Sequence, residues 1–275
     1  MNEEARREFT AIAAREPVAL ARGALLIAKE EYPDLSVDQY LNRFAELARE
    51  AARWVDAGAN TVEQVQNLSQ FLFEHQHFAG NRTSYGDPRN SFLNDVLERK
   101  LGIPISLSVI YLEVGRRAGL KLEGVSFPGH FLVKAIDDKG ELVIDPFNDG
   151  AILDLEQLRS RLNQVYGQPV ELHPAMLRAA TSRQILSRML RNLKNVYVAA
   201  SDWTRAMAAL DRILILEPRS LEDLLERAKL YETLECFQAA LDDLQSFLSM
   251  APDHAVAEAV REGVMRLMRQ VARIN

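Results

Sequence analysis

The chain is poor in cysteine, in excess basic charge and in long apolar runs, and each shortage excludes a class of protein. Its 275 residues contain one cysteine, Cys236, so no disulfide can close within the chain, and a free thiol is best kept in a reducing compartment. Lys and Arg number 33 against 39 Asp and Glu, and the formal net charge of −6 repels nucleic-acid phosphates and anionic membranes unless a local basic patch intervenes. Arg188, Arg191 and Lys194 stand three apart on one predicted helix and read as a solvated face. No apolar stretch approaches the roughly 20 residues of a membrane span. Met1–Arg7 carries mixed charge without the profile of a secretory leader, and a glycine-rich phosphate loop is missing. His75 and His77 diverge on a helix and lack a third ligand at zinc-like spacing. The expectation is a soluble cytoplasmic protein with no metal, no cofactor, and neither a nucleic-acid nor a membrane partner.

What is present is a hydrophobic content of 48%, enough for two ordinary cores. From Glu3 to Phe78 apolar residues recur at helical spacing, as in Leu41, Phe44, Leu47, Ala48 and Ala51. Ser36 and Thr61 are expected as N-caps, with breaks at Pro33 and Gly58. Gly80-Asn81 and Tyr85-Gly86 mark a compact loop. Asp87-Pro88 then opens a short helix that stops at Gly102. A second helix, from Pro104 to Ala118-Gly119, is apolar on nearly every side, which predicts burial all round.

After Gly119 the period changes to that of strands, over Leu122–Phe127, Phe131–Ile136 and Glu141–Asp145. Asp137-Asp138-Lys139-Gly140 reads as the hairpin turn between the last two. Helices followed by a small antiparallel sheet predict an α+β domain over residues 1–165. Gly167, Pro169 and Pro174 mark a linker, 166–180, and residues 181–275 read as all-α. In that last part a shift of 34 residues superposes Tyr197 on Tyr231, Trp203 on Phe237, Ala206 on Ala240, Leu210 on Leu244 and Pro218 on Pro252. This is the period of tetratricopeptide repeats, in which small residues sit where paired helices cross. A last helix, Ala255 to about Ala272, is expected to cap the stack.

Three residues carry the candidate chemistry. Ser106 falls in the first turn of the helix that Pro104 opens, where free amides and the helix dipole favour an anion; Ser108 is a second candidate with poorer access. His130 opens one strand and Asp145 ends the next. With a two-residue hairpin loop, Asp137 pairs with Gly140, His130 lies opposite Phe147, and Asp145 becomes its diagonal neighbour at roughly 7–8 Å, within reach to hold an imidazole in one tautomer. A three-residue or five-residue loop would place the two on opposite faces. Asn81, Tyr85 and Pro104 are expected to line the pocket. Cys236 stands just before a repeat helix and is read as core packing.

The run Gly80-Asn81, N-S-F-L-N, G-I-P-I-S-L, R-R-A-G-L, F-P-G-H-F-L-V and V-I-D-P-F resembles the SirB-type family, in which a transglutaminase-like, papain-like core is joined to C-terminal tetratricopeptide repeats. The resemblance implies that His130 is the base and Asp145 its orienting carboxylate. It also implies a cysteine nucleophile at the position of Pro104 or Ser106, where this chain has no thiol. Serine is a poor nucleophile unless a base removes its proton, so the resemblance implies a pseudoenzyme. In that role a regulatory or adaptor protein holds a protein or peptide partner in its repeat groove. The alternatives are a serine-dependent acyl hydrolase using Ser106, His130 and Asp145, and a sensor that binds a small ligand in the former active-site cleft.

Overall fold

The computed structural model describes residues 3–137 and 140–274. It divides into two compact units, Met1–Met189 and Leu190–Asn275. In the first, helices α1 (Glu3–Ala13), α2 (Leu20–Lys29), α3 (Val37–Ala51) and α4 (Thr61–Ser69) are followed by a π-helical turn, Gln70–His75. The short strands β1 (Ala79–Gly80) and β2 (Leu101–Gly102) flank a 3-10 turn, Pro88–Asn90, and α5 (Leu93–Arg99). Next come α6 (Pro104–Arg117), β3 (Leu122–Val125), β4 (Leu132–Asp137), β5 (Gly140–Asp145), a second 3-10 turn Pro146–Asn148, and β6 (Ala151–Leu153). The unit closes with α7 (Leu155–Tyr166), β7 (Ala179–Ala180) and the first part of α8 (Ser182–Ala199).

The caps show where local chemistry decides. Ser36 accepts from the Gln39 amide and starts α3 as expected. For α4 the cap is Asn60 rather than Thr61, because Asn60 and Glu63 form a reciprocal capping box one residue earlier. Asp87-Pro88 caps only the 3-10 turn Pro88–Asn90. The α-helix proper begins at Leu93 and ends at Arg99, capped by Lys100 in a left-handed conformation with φ 61°. Every residue of α6 from Pro104 to Gly115 is buried. Each large aliphatic side chain there contributes about 1.5–3 kcal/mol of burial, which makes α6 the central helix of the unit.

Five strands form an antiparallel sheet in the order β6-β5-β4-β3-β7. Asp137 pairs with Gly140 and Val133 with Ile144, the register expected from a two-residue loop, although the loop residues Asp138 and Lys139 lie outside the described residues. One face of the sheet carries Val125, Leu132 and Val143 into a core with Leu158 and Leu162 of α7. The alternate positions Val133, Ala135 and Ile144 are buried on the opposite face. Residues 166–180, expected as a linker, pack within this unit. Val170, Leu172, Met176 and Leu177 lie against the α7 core, and Ala179–Ala180 adds the edge strand β7. Gly and Pro interrupted the helical period there, but four apolar residues in the same stretch still had a core to bury in.

The second unit holds the end of α8, α9 (Trp203–Leu216), α10 (Leu221–Thr233), α11 (Phe237–Met250) and α12 (Ala257–Ile274). Ala206 and Ala240 are fully buried, Leu210 and Leu244 are buried, and Pro218 and Pro252 follow α9 and α11, so the repeat reads through to packing. The turns repeat as well: Ser201 and Glu235 both have φ 56°. Asp202 caps α9 through the Arg205 amide, whereas its counterpart Cys236 caps nothing with its side chain. Cys236 is exposed, not a core residue, because the N-cap position projects from the corner between helices. Among the described residues no helix is long and apolar enough to cross a membrane.

Candidate functional site

The loop between β1 and α5 is pinned from below before it presents any side chain. β1 and β2 pair in parallel, and the Asn81 amide donates to the Gly102 carbonyl at 2.9 Å. Asn81 is buried. Its side-chain nitrogen donates to Asn90 Oδ1 at 3.0 Å, and its side-chain oxygen accepts from the Ser84 amide at 3.1 Å. Asn90 in turn donates to the Ser84 carbonyl at 2.7 Å. Gly80 is required here, since a Cβ would stand 2.6 Å from the Phe147 ring and 2.9 Å from its carbonyl oxygen.

Ser106 belongs to this pinning. It is fully buried, donates to the Asn90 carbonyl at 2.6 Å, and accepts from the Ile103 amide at 3.0 Å. The hydroxyl therefore ties the loop to the start of α6 and satisfies an otherwise orphan amide. No hydrogen bond joins it to His130 among the described residues. Ser108 is also fully buried, and donates to the Phe131 carbonyl at 3.4 Å. Pro104 is buried at the first helical position, one turn before Ser108 on the same face of α6.

His130 and Asp145 are brought together. His130 lies in the turn that precedes β4, where its amide donates to the Phe127 carbonyl at 3.1 Å. Its Nε2 stands 2.9 Å from Asp145 Oδ1. The ring meets Phe147 edge-on, with centroids 6.0 Å apart, close to the cross-strand position expected. Asp145 has no exposed surface, and its carboxylate collects four donors. Besides His130 these are the Phe147 amide at 3.1 Å, the Asn148 side-chain amide, and the Arg161 guanidinium at 2.7 Å. Burial pushes the carboxyl upward, but His130, Asn148 and Arg161 together outweigh it and hold the group below its ordinary range. Among the described residues Nδ1 of His130 has no partner, so the pair presents one free ring nitrogen on a side chain 15% exposed.

Tyr85 is 53% exposed and meets Phe147 edge-on at 6.2 Å. The Arg82 guanidinium lies over the Phe147 ring, 4.8 Å from its centroid. Arg188 donates to the His130 carbonyl at 2.8 Å and to the Phe127 carbonyl. The triplet Arg188, Arg191 and Lys194 is thus not a solvated face. Arg191 bonds Asp223 at 2.6 Å, and Lys194 is buried against Glu226. Helical spacing alone could not tell a solvated cationic stripe from one facing carbonyls and acids on other elements. Asn148 was legible as the end of an Asx-type D-P-F-N turn; Arg161 and Arg188, on distant helices, had no local signal. Among the described residues no group of three or more His, Cys, Asp or Glu is placed to hold a metal ion.

Comparison with known proteins agrees with this architecture. A family model described as the transglutaminase-like superfamily matches residues 38–191, and one described as tetratricopeptide repeat matches 193–265. A UPF0162 protein of Xylella fastidiosa strain Temecula1 is 41% identical over 261 residues, covering 93% of this chain and 92% of its own. The UPF0162 protein of Pseudomonas aeruginosa is 34% identical over 240 residues, covering 87% of each. Protein SirB1 of Salmonella typhimurium is 26% identical over 232 residues, covering 84% of this chain and 85% of its own. With a transglutaminase-like domain in front, repeats behind and relatives that span nearly its whole length, the chain belongs to the SirB-type family.

Proposed function

We propose that the chain is a non-catalytic adaptor of the cytoplasm: its helical repeats hold a protein or peptide partner, and its transglutaminase-like core serves as a ligand pocket rather than an acyl-transfer centre. The observation that carries this reading is the engagement of Ser106. A hydroxyl with no exposed surface, donating at 2.6 Å to a backbone carbonyl and accepting from a helix-start amide, is a structural tie. Acyl transfer needs a nucleophile within reach of both its base and an incoming carbonyl. Support for the adaptor role comes from the repeat unit, a scaffold that presents an extended concave surface to partner segments.

A fluorophosphonate probe tests the first half: the full-length chain stays unlabelled, whereas labelling that disappears in both Ser106→Ala and His130→Ala would establish a serine hydrolase. For the second half, Glu222→Arg and Lys229→Glu reverse exposed charges on α10. Reduced retention of the partner by these variants is expected, and retention equal to that of the parent chain counts against repeat-borne binding. The retained His130–Asp145 pair, with its free Nδ1, favours a small-ligand role for the core.

A further inference from the structure

Charge around His130 does not balance. Asp145 is the carboxylate in contact with the imidazole, and Arg161 at 2.7 Å already neutralises it. Two more guanidiniums border the same residues with neutral partners only. Arg188 donates to Ser126 Oγ at 2.5 Å, to the Phe127 carbonyl and to the His130 carbonyl. Arg82 lies over the Phe147 ring and donates to the Asn148 side-chain oxygen and the Phe147 carbonyl. Neither has a carboxylate within ion-pair distance among the described residues. The half-buried Arg191 and Arg227 of the repeats, by contrast, each meet two acids. Burial pulls the Arg188 guanidinium below its ordinary value, and Tyr85 is the titratable group that offsets this. Tyr85 connects the two arginines, since it also stands edge-on to Phe147.

In a chain of net charge −6, two arginines without a carboxylate partner beside a histidine with a free nitrogen make that place locally electropositive. Guanidinium is planar and presents paired donors that match the oxygens of carboxylate or phosphate. We propose that the His130 site binds an oxyanion, the carboxylate or phosphate group of a small molecule, between Arg82 and Arg188, with Nδ1 of the His130 imidazolium as a further donor. Tyr85, exposed above Phe147, supplies an apolar surface for the remainder of the molecule. The inference rests on the ligand-pocket reading of the core and is independent of partner binding by the repeats.

The test is a titration of the full-length protein with succinate and with inorganic phosphate, followed by the His130 imidazole resonances and by calorimetry. A saturable shift of those resonances is expected. Arg82→Gln, a change at an exposed side chain, should weaken binding about tenfold or more. Arg89→Gln alters an arginine of the same loop that is already paired with Asp87, and should leave affinity unchanged. Saturation by succinate alone or by phosphate alone identifies the source of the anion. No saturable shift with either probe, or equal weakening in the Arg82 and Arg89 variants, overturns the proposal. Partner retention measured on Arg82→Gln separates the two readings, because the adaptor role survives intact if only anion binding is lost.

Discussion

Both units bury carboxylates, and they compensate them differently. In the repeats Asp223, 1% exposed, meets Arg191, while Asp211 and Asp243 share Arg227, so that each acid meets a base on a neighbouring helix. In the core Asp145 gathers an imidazole, a guanidinium and two amides at one point, and further cations remain beside it. The first pattern distributes charge along a stack and fixes how one helix sits on the next. The second concentrates polarity around a single histidine and leaves a ring nitrogen uncommitted, as the proposed ligand site requires.

That contrast can be broken by substitution. Arg227→Ala should have the largest effect, about 3–5 kcal/mol lost from the repeat unit, because the buried Asp243 loses its base and the contact to Asp211 goes with it. Chemical denaturation reads it directly, and a loss below about 1 kcal/mol would mean that the ladder is ornamental. Asp145→Asn should cost about 1–3 kcal/mol near neutral pH, since Arg161 and His130 lose their counter-charge.

The Asp145 effect should depend on pH with a definite sign. A carboxyl held below its ordinary value stabilises the fold above its unfolded value of about 3.9 and loses that contribution as pH falls through the lower folded one. The gap between wild type and Asp145→Asn should therefore narrow below about pH 4; a gap constant from pH 7 to 3 would exclude an ionised Asp145 as its source.

Ser106→Ala is expected to cost about 1–2 kcal/mol through loss of the tie to Asn90 and the Ile103 amide. Hydrogen exchange should quicken in the 81–90 loop, and unchanged protection there would detach Ser106 from it. Smallest of all, Cys236→Ala should stay within about 0.5 kcal/mol. The native thiol should react with a disulfide reagent as fast as it does in the unfolded chain; slow reaction would place it in a core after all.

Much of this was legible in the residues. Pro104 and the apolar positions after it announced a helix buried on nearly every side, and the register conditional on a two-residue loop between β4 and β5 is the one observed, which carries His130 toward Phe147 and Asp145. The 34-residue repeat announced the paired helices, and the structure adds that its turns repeat too, with left-handed Ser201 and Glu235 at matching positions. Less legible were Arg161, Arg188 and the true role of Ser106, because each depends on what another element brings to it. Asn90 lies 16 residues from Ser106, and Phe127 lies 61 from Arg188. The misreading of Cys236 had a different origin: the repeat logic located the position, but its neighbours in sequence did not reveal that an N-cap side chain projects outward.

The sequence by itself determined most of the helices, the three central strands and the repeat, since periodicity, caps and turn residues act between neighbours within a few positions. Only the tertiary structure decided which polar side chains are ties and which gather around His130. A hydroxyl or guanidinium is defined by the partners it finds across the fold, and those partners are set by packing rather than by spacing along the chain.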